Sequence, residues 1–120
     1  MVNASFHRYQ LHFRQPVLTS RGEMKNKNGY YLSVSNETAT GIGECSFIEG
    51  LSLDDLTNYT SVLREVCNSI SSEPPDLKLF PSIAVGLDTA LLDLRNGGNK
   101  ILFESDFTKG EKQIPINGLV

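Results

Sequence analysis

The side chains that could do chemistry in this 120-residue chain are few and scattered. Arg21 stands in the run Thr19-Ser20-Arg21-Gly22. A guanidinium in a glycine-hinged loop can clamp a carboxylate through two parallel hydrogen bonds. The alternative is a solvated loop arginine, and both readings stay open. Further on comes Phe47-Ile48-Glu49-Gly50-Leu51, an apolar stretch with a hinge-capable glycine. Such a loop can fold over a substrate and exclude water. The same apolar residues could instead staple the start of a following helix. Residue types alone do not decide between these.

The other candidates carry less. His7 and His12 lie five apart on one predicted strand, so they point to opposite faces and cannot share a metal through it. Cys45 and Cys67 have no Cys-x-x-Cys spacing, which argues against a zinc site. Gly41-Ile42-Gly43 lacks the third glycine of a dinucleotide fingerprint and opens no helix. Glu44 and Glu49 straddle a strand-to-loop junction; spacing leaves a glycosidase-like carboxylate pair open, with nothing else in its favour. Asp54 and Asp55 are better explained as acidic residues in the first turn of a helix than as metal ligands. The chain therefore reads as a domain that helps to form an active site without holding the catalytic machinery itself.

Bulk properties agree with a small globular unit. The length suits one domain, and 39% apolar residues can bury a modest core. The net charge is -3, and no basic stripe of the kind that binds nucleic acid is visible. Lys25 and Lys27 read as a solvated loop tip. Met1-Val2-Asn3-Ala4-Ser5 lacks the charged-then-apolar run of a signal peptide. No stretch approaches the roughly 18 apolar residues of a membrane span. The expected setting is cytoplasmic, with no membrane or nucleic-acid partner. In that setting both cysteines are free buried thiols, and the Asn-x-Ser/Thr triplets at Asn3, Asn36 and Asn58 are chance matches.

The elements that would position the two loops can be read from periodicity. Residues 5–15 alternate, with Tyr9, Leu11 and Phe13 on one face, and Gln15-Pro16 is expected to end the strand. A long polar loop then runs to Gly29. Residues 30–35 and 41–46 form two further strands, the glycines of the third pointing to a close backbone approach or a bulge. Three short consecutive strands favour an antiparallel meander. Ser52 is expected to cap a helix running to about Ser71, which Glu73-Pro74-Pro75-Asp76 breaks. A second helix starts at Pro81-Ser82, buries Ile83, Leu87, Ala90, Leu91 and Leu94, and stops at Gly97-Gly98. Residues 99–112 are irregular, and Gln113 to Val120 reads as the start of another strand.

This order of features resembles the amino-terminal capping domain of the enolase superfamily, in its muconate-lactonizing subgroup. The resemblance rests on Phe6 to Phe13 followed by Arg14-Gln15-Pro16, on Leu18-Thr19-Ser20-Arg21-Gly22, on Gly41-Ile42-Gly43-Glu44-Cys45-Ser46, and on the helix from Pro81 to Leu94. Within the subgroup, Pro81-Ser82-Ile83-Ala84-Val85-Gly86, the loop Cys45 to Ser52 and the terminal Ile114-Pro115-Ile116-Asn117-Gly118-Leu119-Val120 are similar to the o-succinylbenzoate synthase family.

The resemblance implies an α+β fold, a three-stranded antiparallel meander followed by helices. It places the cap at residues 1–110 and the first strand of a truncated (β/α) barrel at 111–120. It implies a magnesium-dependent lyase of menaquinone biosynthesis in the full-length protein. That enzyme dehydrates 2-succinyl-6-hydroxy-2,4-cyclohexadiene-1-carboxylate to 2-succinylbenzoate. The base and the magnesium ligands would sit in the barrel, where such sites are expected. This chain would hold no catalytic residue and no metal, and alone would be inactive. Its partners would be the barrel of the same protein and the small-molecule substrate. The cap's two substrate-closing loops carry over to Thr19, Ser20, Arg21 and Gly22, and to Phe47, Ile48, Glu49, Gly50 and Leu51. A dipeptide epimerase, an N-succinylamino acid racemase or a muconate-type cycloisomerase would share such a cap. A small non-catalytic binding module is the alternative from another class.

Overall fold

A computed structural model describes residues 1–118. Three strands, β1 (Asn3–Thr19), β2 (Gly22–Ser35) and β3 (Thr40–Ser46), precede two helices, α1 (Tyr59–Asn68) and α2 (Pro81–Arg95). The sheet is an antiparallel meander in the order β1-β2-β3. The fold class is thus the one expected from sequence. The helices cover one face of the sheet, and the core between them holds Leu32, Cys45, Phe47, Tyr59, Leu63, Val66, Phe80 and Ile83.

The glycines of β3 set the distance between the layers. A methyl group at Gly41 or Gly43 would overlap the backbone of α2 at Ala90 and Gly86 respectively. In turn, a methyl at Gly86 would overlap Cys45 Sγ. Of the two sequence readings, close backbone approach is therefore the right one, and no bulge interrupts the β2–β3 register.

Several expectations need correction. The long loop to Gly29 does not exist. β1 continues past Pro16, and β2 begins at Gly22, so residues 17–28 extend the first hairpin. Pro16 ends nothing because it falls in a break of register between His12 and Val17, opposite Lys25, where no ladder donor is needed. The helix expected from Ser52 starts only at Tyr59. Residues 53–56 are held in an irregular path instead, with Asp55 N–H donating to Leu79 O at 3.1 Å. Residues 113–118 pair with no strand among the described residues, and Leu119 and Val120 lie outside them.

Asp54 explains the displaced helix start. It is buried, and its Oδ1 accepts from Ser82 N–H at 2.9 Å and from Ser82 Oγ–H at 2.7 Å. It thus satisfies the open N-terminus of α2, which has Pro81 at its first position and no cap from Phe80. The acidic residue does serve a helix end, but the second helix rather than its own. Asp93 plays the matching part at the other end of α2. It is buried and accepts from Ile42 N–H at 3.0 Å and Lys100 N–H at 2.8 Å. A carboxylate on a helix thereby closes an otherwise open position on the β3 edge.

Candidate functional site

β3 pairs only with Gly29–Ser35 of β2, so the first hairpin projects beyond the third strand as a two-stranded ribbon. Its tip is a two-residue turn, Ser20-Arg21, between the paired Thr19 and Gly22. Gly22 has φ +121°, a conformation that side chains rarely adopt. Thr19 Oγ1 accepts from Arg21 N–H at 3.2 Å and donates to Gly22 O at 2.8 Å. These bonds build a rigid tip from a threonine, a glycine and one long cationic side chain.

The second loop starts from the core. Phe47 is buried, its ring 4.9 Å from that of Tyr59. The chain then folds on itself. Leu51 N–H and Ser52 N–H both donate to Ile48 O, at 3.0 and 2.9 Å, and Ile48 N–H donates to Ser52 Oγ at 2.8 Å. Gly50 takes φ +79° at the crest. Phe47 is a core anchor, whereas Leu51 remains 55% exposed and is free to meet something else.

The two loops face one another. A cleft of about 220 Å³ is lined by Thr19, Ser20, Arg21 and Gly22 from the tip and by Ile48, Glu49 and Leu51 from the loop, with Glu23 and Met24 between them. The Arg21 guanidinium donates to Gly50 O. A second cleft, about 210 Å³, continues along β2 past Lys25 and Lys27 and shares Glu23, Met24, Ile48 and Glu49 with the first. The result is one trough lined by residues of both charges, Arg21 and Lys25 with Glu23 and Glu49, whereas the Lys27 ammonium is engaged with Tyr9. Sequence reasoning missed the part along Glu23 to Asn28, because that run lacks apolar alternation and reads as loop.

Other titratable candidates lie elsewhere. Glu44 is not paired with Glu49. It projects from the outer face of the sheet, where the Tyr9 hydroxyl donates to its Oε2. Tyr9 crosses β2 over Gly29, where a methyl would overlap its ring. Lys27 Nζ donates to the Tyr9 hydroxyl at 3.3 Å, and the Tyr31 ring stacks on Tyr9 with centroids 4.6 Å apart. Burial, and then the Glu44 carboxylate, push the Tyr9 phenol well above its ordinary value. The cluster braces three strands from outside.

Neither cysteine is bonded to another. Burial pushes the Cys45 thiol up to about 12 and raises Cys67 as well, but Cys67 is only partly buried, where the sequence reading expected two buried thiols. Among the described residues no three His, Cys, Asp or Glu side chains converge on a common point. Magnesium asks for several hard oxygen ligands, so these residues do not fit it. Among the described residues no helix is long and apolar enough to cross a membrane.

Comparison with known proteins gives a consistent result. A family model described as "MenC, N-terminal domain" matches residues 1–94. The o-succinylbenzoate synthase of Desulfotalea psychrophila is 32% identical, in an alignment covering 99% of this chain and 42% of that protein. The crystal structure of MenC from the same organism superposes with a TM-score of 0.79 at 26% identity, covering 98% of this chain and 41% of that one. An Agrobacterium tumefaciens enolase-family member with homology to dipeptide epimerases shares the fold, at 15% identity and TM-score 0.66 over 84% of this chain and 32% of its own. So does the o-succinylbenzoate synthase of Thermosynechococcus elongatus BP-1, complexed with Mg in its active site, at 18% identity and TM-score 0.56 over 76% and 29%. The chain thus spans well under half the length of the relatives it matches.

Proposed function

The chain belongs to the MenC N-terminal domain family, and from that premise we propose that it is the capping domain of an o-succinylbenzoate synthase. One observation carries the reading. The hairpin tip Thr19–Gly22 and the loop Phe47–Leu51, far apart in sequence, enclose a single cleft. Two loops that share a cleft can close the mouth of a larger site, exclude water and set which substrate fits.

In this reading the reaction takes place on a larger part of the protein. Its substrate is 2-succinyl-6-hydroxy-2,4-cyclohexadiene-1-carboxylate. Loss of the proton alpha to the ring carboxylate and of hydroxide yields water and the aromatic 2-succinylbenzoate. The base and the ligands of a magnesium ion lie in the barrel, and magnesium supplies charge stabilisation at the carboxylate when bound. The residues here contribute differently. Arg21, at the head of the cleft, favours a substrate that carries carboxylates over a neutral one. Ile48 and Leu51 present apolar surface to its ring and keep water out.

Exposed apolar side chains fit a domain that packs against a larger partner. Leu53 and Ile116 are each 89% exposed and Phe103 is 74% exposed. The dipeptide epimerase alternative rests on a fold likeness at 15% identity, against a synthase at 32%. Joining this chain to the barrel part of the Desulfotalea psychrophila synthase, in place of that enzyme's own N-terminal part, tests the assignment by assaying dehydration.

A further inference from the structure

We propose that Arg21 is a latch, a positioning residue that makes the hairpin tip and the Phe47–Leu51 loop open and close as one lid. The proposal deepens the capping reading and rests on it for its role in catalysis, though the coupling itself can be measured without any assay of activity.

The starting point is an imbalance between the two halves of the lid. The Phe47–Leu51 loop is anchored by a buried phenylalanine and closed by three internal bonds. The hairpin tip has no such foundation. Beyond Gly29 it is a ribbon of two strands, and its register is broken between His12 and Val17. Two-stranded ribbons are marginal in water without further packing. The bonds inside the tip, from Thr19 to Arg21 and Gly22, fix its shape but not its place. Among the described residues, one hydrogen bond joins tip to loop, from the Arg21 guanidinium to Gly50 O.

Gly50 suits the accepting end. Its φ of +79° lies in the region that favours glycine, and a methyl there would meet nothing within 4 Å, so the residue is chosen for backbone conformation and not for space. That conformation forms the crest of the turn over which Arg21 reaches. The acceptor is a single carbonyl oxygen. This distinguishes a latch from a carboxylate clamp, because a clamp uses two donors of the guanidinium in parallel. A lysine can replace an arginine on one carbonyl but cannot reproduce a two-pronged clamp.

The test is amide hydrogen exchange on the complete protein and its Arg21→Ala and Arg21→Lys variants, with segments 18–24 and 47–52 read separately and α1 as an internal reference. Arg21→Ala should speed exchange at least tenfold in both segments and leave α1 unchanged. Arg21→Lys should keep most of the protection in both. In the same proteins, kcat/KM should fall about tenfold for alanine and under threefold for lysine. Faster exchange in 18–24 alone, or in neither segment, overturns the latch whatever the activity. So does Arg21→Lys losing as much kcat/KM as Arg21→Ala, which marks a clamp on substrate. Coupled exchange in a protein with no dehydratase activity leaves the latch standing and removes the capping reading.

Discussion

At the scale of single residues, two buried groups carry consequences that can be measured. Asp54 is the cap of α2 although it lies 28 positions before its partner Ser82. Asp54→Ala should cost about 1–2 kcal/mol, the usual loss for a helix cap. Urea unfolding should show a lower midpoint with an unchanged slope. Cys45 links stability to pH. In the unfolded chain its thiol ionises near 9.0, and in the fold it holds its proton up to about 12. Between those values unfolding releases a proton, so stability falls as pH rises; below 9 this contribution is flat. The slope reaches at most about 1.4 kcal/mol per pH unit. Tyr9 and Tyr59, raised by burial, act in the same direction above their ordinary 10.0. Stability measured between pH 9 and 10 should therefore fall in the natural protein and fall less in Cys45→Ala. An equal fall in both would show that Cys45 is not the source.

At the scale of elements, β3 and α2 were legible because each carries a local signal that tertiary structure does not override. The Gly41-Ile42-Gly43 run announced a close approach or a bulge, of which the fold has the first, and the Pro81 start and the Ile83–Leu87–Ala90 stripe announced a helix. Gly43→Ala should destabilise by about 1–3 kcal/mol, the range for overpacking. The added methyl meets the Gly86 carbonyl, a backbone atom that cannot turn aside. A midpoint unchanged in urea would mean that the layers can separate without cost. The ribbon from Val17 to Asn28 was not legible. From Glu23 to Asn28 only Met24 is apolar, since no third strand or helix covers most of the ribbon, so alternation vanished and the run read as loop. The first helix was placed too early for a related reason. Ser52, Asp54 and Asp55 have the composition of a helix start, but their bonds go to Ile48, Ser82 and Thr57. Side chains of this kind compete with helix for the backbone, and here a distant partner won.

At the scale of the whole molecule, the two loops singled out by residue type come together, and the bond between them joins Arg21 to Gly50. Their meeting depends on the ribbon, which no local pattern revealed. The outer brace of Tyr9, Glu44 and Lys27 was likewise invisible, because it joins three strands through residues that alternate with the core positions. The apolar side chains left open at Leu53, Phe103 and Ile116 fit a domain that belongs with a larger part. The measurement that bears most directly on this account is the rate at which the fusion of this chain with the Desulfotalea psychrophila barrel part converts 2-succinyl-6-hydroxy-2,4-cyclohexadiene-1-carboxylate. Formation of 2-succinylbenzoate should be readily detected in the fusion, and should be at background in the 120-residue chain alone. Turnover by the chain alone, or a folded, magnesium-binding fusion that leaves the substrate unchanged, would contradict it.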